Sequence, residues 1–384
     1  VSMGSGTFHV ARIFDGEAWH QNAAISIKAG RVTSILPSHE APEGPRLPGL
    51  IAPGYIDLQV NGGGGVLFNN DPTPEGIRAI CAAHAGLGTT ATMVTLITDR
   101  PDVTARAVAA AGVADCPGFL GLHLEGPHLS LAKKGTHDPA LIRAMEAADL
   151  AAILTAAGQL PHLIVTLAPE SATRRQVHAL ASAGVTVSLG HSDCDHDTAR
   201  DYIAAGAGMV THLFNAMSQL GHRAPGLVGA ALSLPGLCAG LIADGFHVAD
   251  AAMLVALRAQ PEGIFLVSDA MATVGSDLTG FTLNGRQIFR SAGRLTLADG
   301  TLAGADIALA DAVRYCHQRL GLDLAAALRL GSAAPAAALG LADRGHLRPG
   351  ARADLICLDE GLNVTGSWIA GRPAGGTPSG GMRP

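Results

Sequence analysis

From Pro53 to about residue 340, short apolar runs alternate with Ala-rich stretches in which apolar positions recur at helical spacing, the texture of βα units. Eight runs read as buried strands bounded by Gly, Pro or Asn: 54–60, 89–97, 119–125, 163–168, 185–191, 209–214, 237–243 and 264–269. Eight parallel strands are the number that closes a (β/α)8 barrel. The segments between them include Pro74-Glu-Gly-Ile-Arg-Ala-Ile-Cys-Ala-Ala-His and Ser171-Ala-Thr-Arg-Arg-Gln-Val-His, the second with Ser171 as the expected N-cap. Residues 7–50 differ in texture. Phe8-His-Val-Ala-Arg-Ile, Ala24-Ile-Ser-Ile-Lys and Arg31-Val-Thr-Ser-Ile-Leu are short strands separated by the turns Asp15-Gly16 and Ala29-Gly30, and strand texture returns around Leu355 and Trp368. Neither end has enough strands to bury a face alone, so the two are expected to form one β-sandwich module. The expected division is 1–52 for the N-terminal part of the sandwich, 53–343 for the barrel and 344–384 for the C-terminal part, ending in a disordered Gly/Ser/Pro tail from Gly375.

The composition supplies a core and excludes several classes. With 384 residues and 48% hydrophobic, the chain can bury one large domain plus a small one. A formal charge of −6 with no basic run gives no electrostatic footprint for nucleic acid or an anionic membrane. No stretch is apolar enough to span a bilayer, and Val1-Ser-Met-Gly-Ser-Gly lacks the basic and apolar regions of a signal peptide. The six cysteines, Cys81, Cys116, Cys194, Cys238, Cys316 and Cys357, are scattered without a CxxC pair, as expected for reduced packing residues of a cytoplasmic protein.

Four of the apolar runs end on residues that bind metals or carry protons: Phe119-Leu-Gly-Leu-His-Leu-Glu125, Val185-Thr-Val-Ser-Leu-Gly-His191, Met209-Val-Thr-His212 and Ile264-Phe-Leu-Val-Ser-Asp269. In a barrel the chemistry sits at the C-terminal strand ends. Glu125, His191 and His212 there supply three ligands for a catalytic divalent cation, with a position left open for water. Asp269, outside that set, is the candidate for moving the proton of an activated water to a leaving group. His84, His162, His178 and His317 lie beside or within helical stretches and read as packing or surface residues, and His196 reads as polar loop. The run Gly62–Gly65 is not followed by a Lys-Ser/Thr helix start, so it reads as a turn at the barrel mouth rather than a nucleotide loop.

The order of motifs is similar to that of the N-acetylglucosamine-6-phosphate deacetylases of the amidohydrolase superfamily. It runs Pro53-Gly-Tyr-Ile-Asp-Leu-Gln-Val-Asn-Gly, Leu122-His-Leu-Glu-Gly-Pro-His-Leu, Lys134-Gly-Thr-His137, Leu167-Ala-Pro-Glu, Leu189-Gly-His-Ser, Thr211-His-Leu-Phe-Asn-Ala-Met, Ala243-Asp-Gly-Phe-His-Val and Val267-Ser-Asp-Ala-Met. The resemblance implies a (β/α)8 barrel with a β-sandwich from both ends, and one divalent metal per subunit, zinc first and Fe2+, Co2+ or Mn2+ next. It implies Glu125, His191 and His212 as ligands, Asp269 as general base and then acid, and His137 and His247 as substrate contacts. Of these two, His137 is the favoured partner of the acetamide carbonyl. It further implies that Asn215, the backbone of Ala216 and Arg223 hold the phosphate of a small-molecule hexosamine 6-phosphate, with Arg223 supplied by the other subunit of a homodimer. The gluco sugar is expected, with the galacto epimer as the alternative.

Two positions depart from the family pattern. Gln59-Val-Asn61 stands where many amidohydrolases carry His-x-His, so a second metal is expected to be absent or weak. His128 stands where an apolar or aromatic residue is common, and reads as a pocket wall. A binuclear cyclic-amide hydrolase would place a lysine at the fourth strand, but Leu167-Ala-Pro-Glu has none. A non-catalytic sugar-phosphate binder would lack a ligand or the base, and all four residues are present.

Overall fold

The computed structural model describes residues 3–374, so the expectation for the tail from Gly375 lies outside the described residues. Eight strands form one parallel sheet in chain order: Tyr55–Val60, Thr89–Ile97, Phe119–Glu125, Leu163–Leu167, Thr186–Leu189, Ala207–Val210, Cys238–Leu241 and Ile264–Leu266. Their side chains are buried almost throughout because helices cover the outside and side chains fill the inside, as in a (β/α)8 barrel.

The first and last strands meet only at their C-terminal ends. There Asp269 donates its backbone N–H to Gln59 O at 3.0 Å, and Asn61 donates to Ala270 O at 2.9 Å. Lower in the seam the Asp57 carboxylate fills the missing ladder, accepting from the backbone N–H groups of Gln59 and Ser268 at 3.2 Å each. Asp57 is fully buried, and burial pushes its carboxyl up to about 7.

The two chain ends build the β-sandwich module. Its sheet order is Arg372–Pro373, Val364–Ile369, Leu355–Leu358, Leu50–Pro53, Gly6–Phe14, Trp19–Lys28 and Arg31–Pro37. Leu50–Pro53 joins the ends, running parallel to Gly6–Phe14 and antiparallel to Leu355–Leu358. Phe8, Val10, Ile13, Ile25, Leu355 and Trp368 close its core.

A further sheet, outside the eight expected strands, lies between the last barrel strand and helix Leu309–Gln318. Strands Gly280–Leu283, Arg286–Ser291, Arg294–Thr296 and Leu302–Ala305 pair antiparallel in that order. Asn284-Gly285, both with positive φ, turn the first hairpin, and this pair between two alternating runs is a hairpin signature. Helix Arg174–Ser182 starts later than expected. Thr173, not Ser171, caps it, because Thr173 and Gln176 close a reciprocal capping box while the Ser171 hydroxyl turns to Leu129 O. His196 opens helix His196–Ala204 rather than lying in a loop, with Asp195 as its cap. Among the described residues no helix is long and apolar enough to cross a membrane.

Replacing Asp57 with alanine leaves two buried N–H groups at the seam without an acceptor. Asp57→Ala is expected to cost about 1–3 kcal/mol and to lower the melting temperature by about 1–4 °C. A thermal melt within about 1 °C of the parent would contradict the seam assignment.

Candidate metal centre and active site

Glu125 is the last residue of its strand, but His191, His212 and Asp269 sit two or three residues beyond theirs. All three have positive φ, at 48°, 31° and 51°. A non-glycine residue in that region costs roughly 1 kcal/mol or more, so each is held by its surroundings. The turn lifts the residue out of the ladder, which explains why the strands end earlier than the apolar runs.

These turns bring three ligand-type atoms together. His191 Nε2 and His212 Nε2 each lie 3.0 Å from Glu125 Oε1, and 3.1 Å from each other. All three residues are buried. His191 Nδ1 faces the carbonyl of Lys133 at 2.8 Å and must donate to it, so in the neutral ring Nε2 carries a lone pair. That lone pair points at a carboxylate oxygen. Electron-rich atoms crowded this closely fit a bound cation better than a set of hydrogen bonds, and His212 Nδ1, buried with no partner, shows that this ring is not anchored by a hydrogen bond on its far side.

Asp269 faces this cluster without joining it. Asn61 Nδ2 donates to Asp269 Oδ1 at 2.7 Å, and Gln59 Nε2 donates both to that oxygen at 3.1 Å and to Glu125 Oε2 at 3.2 Å. Both amides turn N–H groups toward these carboxylates, while Asn61 Oδ1 is buried without a hydrogen-bond partner. Burial, then the charge of Glu125, raises Asp269 to about 6. A carboxylate poised there can both take and return a proton near neutral pH.

A cavity of about 230 Å3 opens onto this group and is lined by Asn61, His137, Asn215, Ala216, His247 and Asp269 among others. His137 is buried, with Nδ1 2.7 Å from the Thr98 hydroxyl, and burial followed by the neighbouring His191 holds it well below the usual imidazole range. Arg286, from the four-stranded sheet, donates to Thr136 O and so braces the loop that carries His137. His247 Nδ1 donates to Asp244 Oδ2 at 2.6 Å, which turns Nε2 away from that carboxylate. Asn215 donates to the carbonyls of His212 and Leu213. Leu302 and Gly304 of the four-stranded sheet, with Thr301 just before that strand, also line the cavity.

Sequence reasoning brought Glu125, His137, His191, His212, Asn215, Ala216, His247 and Asp269 to this place. Arg223 lies elsewhere, exposed on a loop and outside the cavity lining. His128 also lies elsewhere, in a separate cavity between helices Pro101–Val113 and Ala147–Ala157, with Nδ1 donating to Arg143 O at 3.1 Å. The residues missed are Thr98, Asp244 and Arg286. Asp244 stands three residues before His247, a spacing that could have exposed it, whereas nothing local marks Thr98 or Arg286.

The model of the amidohydrolase family matches residues 50–374. The chain belongs to the amidohydrolase family. It is 42% identical over 327 residues to the N-acetylgalactosamine-6-phosphate deacetylase of Shewanella sp. (strain ANA-3), spanning 84% of this chain and 82% of that one. It is 39% identical over 338 residues to the N-acetylglucosamine-6-phosphate deacetylase of Homo sapiens, again 84% and 82% of the two chains. The crystal structure of N-acetylglucosamine-6-phosphate deacetylase from Pasteurella multocida superposes with a TM-score of 0.92 at 31% identity, covering 96% of this chain and 99% of that one. The fold is therefore that of a metal-dependent amide hydrolase, and Glu125, His191 and His212 form its possible metal site.

The convergence of three donor atoms predicts that removing one imidazole empties the centre. His191→Ala should lower divalent metal occupancy at least about ten-fold, measured by elemental mass spectrometry on purified protein. Stoichiometric metal in that variant would place the cation elsewhere.

Proposed function

We propose that this chain hydrolyses N-acetyl-D-glucosamine 6-phosphate to D-glucosamine 6-phosphate and acetate, with one divalent cation held by Glu125, His191 and His212. The observation that carries this reading is the placement of Asp269 against the three-atom cluster, in one small cavity shared with His137 and His247. Mixed carboxylate and imidazole donors suit zinc, with Fe2+, Co2+ or Mn2+ as further options. A cation in that position supplies Lewis acidity to an attacking water and to the amide oxygen.

The chain's own residues do the rest. Asp269 takes a proton from the water and returns it to the departing nitrogen, a shuttle that its raised carboxyl suits. Gln59 and Asn61 hold its Oδ1, which leaves Oδ2 for the proton. His137 donates from Nε2 to the acetamide oxygen, and this requires the Thr98 hydroxyl to donate to Nδ1. His247, oriented by Asp244, binds a sugar hydroxyl. Asn215, the backbone N–H of Ala216 and Arg223 of a neighbouring subunit hold the phosphate, since a guanidinium fork pairs with phosphate oxygens. The exposure of Arg223 outside its own cavity supports a homodimer in which it reaches across. A small anionic sugar as substrate fits a cytoplasmic enzyme of amino-sugar catabolism or cell-wall sugar recycling. A second reading, the galacto epimer, is favoured by the name of the relative from Shewanella.

Asp269→Asn keeps the shape of the side chain and removes the proton acceptor. It should retain metal and sugar phosphate binding while acetate release falls at least about 100-fold. Near-normal release would remove Asp269 from the mechanism. Arg223→Ala should raise KM for the phosphorylated sugar about ten-fold or more and leave the unphosphorylated sugar unaffected. An equal effect on both sugars would exclude Arg223 from the phosphate site.

A further inference from the structure

Around the barrel, helices Pro74–Gly86 and Pro101–Val113 pack side by side, but Pro101–Val113 and the next helix, Ala147–Ala157, do not close on each other. A groove of about 420 Å3 runs between them. One wall carries Ala105, Val108 and Ala109 and the other Ala152, Ile153 and Ala156, each set at spacings that share one helix face. These short side chains leave a slot with apolar sides. Its buried end is formed by Gly126 and His128, just after Glu125, yet the slot shares no lining residue with the cavity at the metal cluster.

His128 is the polar group at that end. It is 2% exposed, and its Nδ1 donates to Arg143 O at 3.1 Å, so in the neutral ring Nε2 carries the lone pair. Burial lowers this imidazole from its ordinary value, which keeps the ring neutral. Among the described residues Nε2 has no hydrogen-bond partner, and it is not sealed off from the slot. The other polar side chains of the lining are engaged or outside. Arg143 and Asp149 pair through both guanidinium nitrogens, Asp99 accepts from Asn69 Nδ2 and the Arg100 N–H, and Gln159 is exposed at the rim. The Arg143–Asp149 pair leaves no free cation for an anionic ligand, and Asp99 opposes one.

We propose that this slot binds a small neutral aromatic ligand whose hydroxyl donates to His128 Nε2. A flat ring system fits between two helix faces of short apolar residues, and the slot has the size of pockets that enclose small organic molecules. The ring displaces water from apolar walls, and the hydroxyl supplies the donor that the buried imidazole lacks. A ligand of the same shape without that hydrogen gains only the first of these. The site is distinct from the one that holds the metal, although both border the turn that follows Glu125.

The test is a fluorescence titration of the metal-loaded chain with 2-naphthol, compared with 2-methoxynaphthalene, which keeps the rings and loses the hydroxyl hydrogen. The expected result is saturable binding of 2-naphthol at one site, at least about five-fold tighter than the ether. In methyl-labelled protein the signals of Val108 and Ile153 should shift, while that of Met271, which lines the cavity at the metal cluster, should not. His128→Phe keeps an aromatic ring and removes the acceptor, and should shrink the preference for the hydroxyl to less than about two-fold. Absence of saturable binding, equal affinity for the two probes, or shifts at Met271 in place of Val108 and Ile153 would overturn the proposal. The comparison of the two probes on the unmodified chain needs no variant, so a His128→Phe protein that fails to fold leaves the test standing.

Discussion

The site depends on three electron-rich atoms being forced together where no proton can satisfy them all. Glu125 Oε1, His191 Nε2 and His212 Nε2 meet within hydrogen-bonding distance of one another, and the Lys133 carbonyl has already fixed which nitrogen of His191 carries its hydrogen. Such an arrangement is unfavourable by itself and becomes favourable around a cation. The positive-φ turns at His191 and His212 are what hold the imidazoles there, so backbone strain and ligand geometry have one cause.

The barrel seam extends this constraint to Asp269. Asp269 is the residue at which the last strand is fastened to the first, through its backbone to Gln59 and its side chain to Asn61 and Gln59. Closing the barrel therefore sets the position of the Asp269 carboxylate. The amides that replace a His-x-His pair have a structural role as well. Gln59 donates to both Glu125 and Asp269, and so eases the approach of the two acids to each other.

Much of this was legible in the sequence because the barrel encodes its chemistry at strand ends. The eight apolar runs located the strands, and reading their last residues located Glu125, His191, His212 and Asp269. The runs overestimated strand length at 185–191, 209–214 and 264–269, because each was carried through to or past a reactive residue that lies in a positive-φ turn beyond the ladder. The sheet at 280–305 was missed although Asn284-Gly285 marks its first turn, since its strands are short and half exposed. Thr98 and Arg286 escaped for a different reason. Each acts on His137 from far along the chain, and such pairings exist only once the barrel has closed.

The most direct test of the central claim is acetate release by protein with its metal quantified. N-acetylglucosamine 6-phosphate is compared with its galacto epimer and its unphosphorylated form. The account predicts chelator-sensitive release that is fastest with the gluco 6-phosphate and nearly lost without the phosphate. Metal bound near one equivalent with no acetate released from any of the three sugars would contradict it.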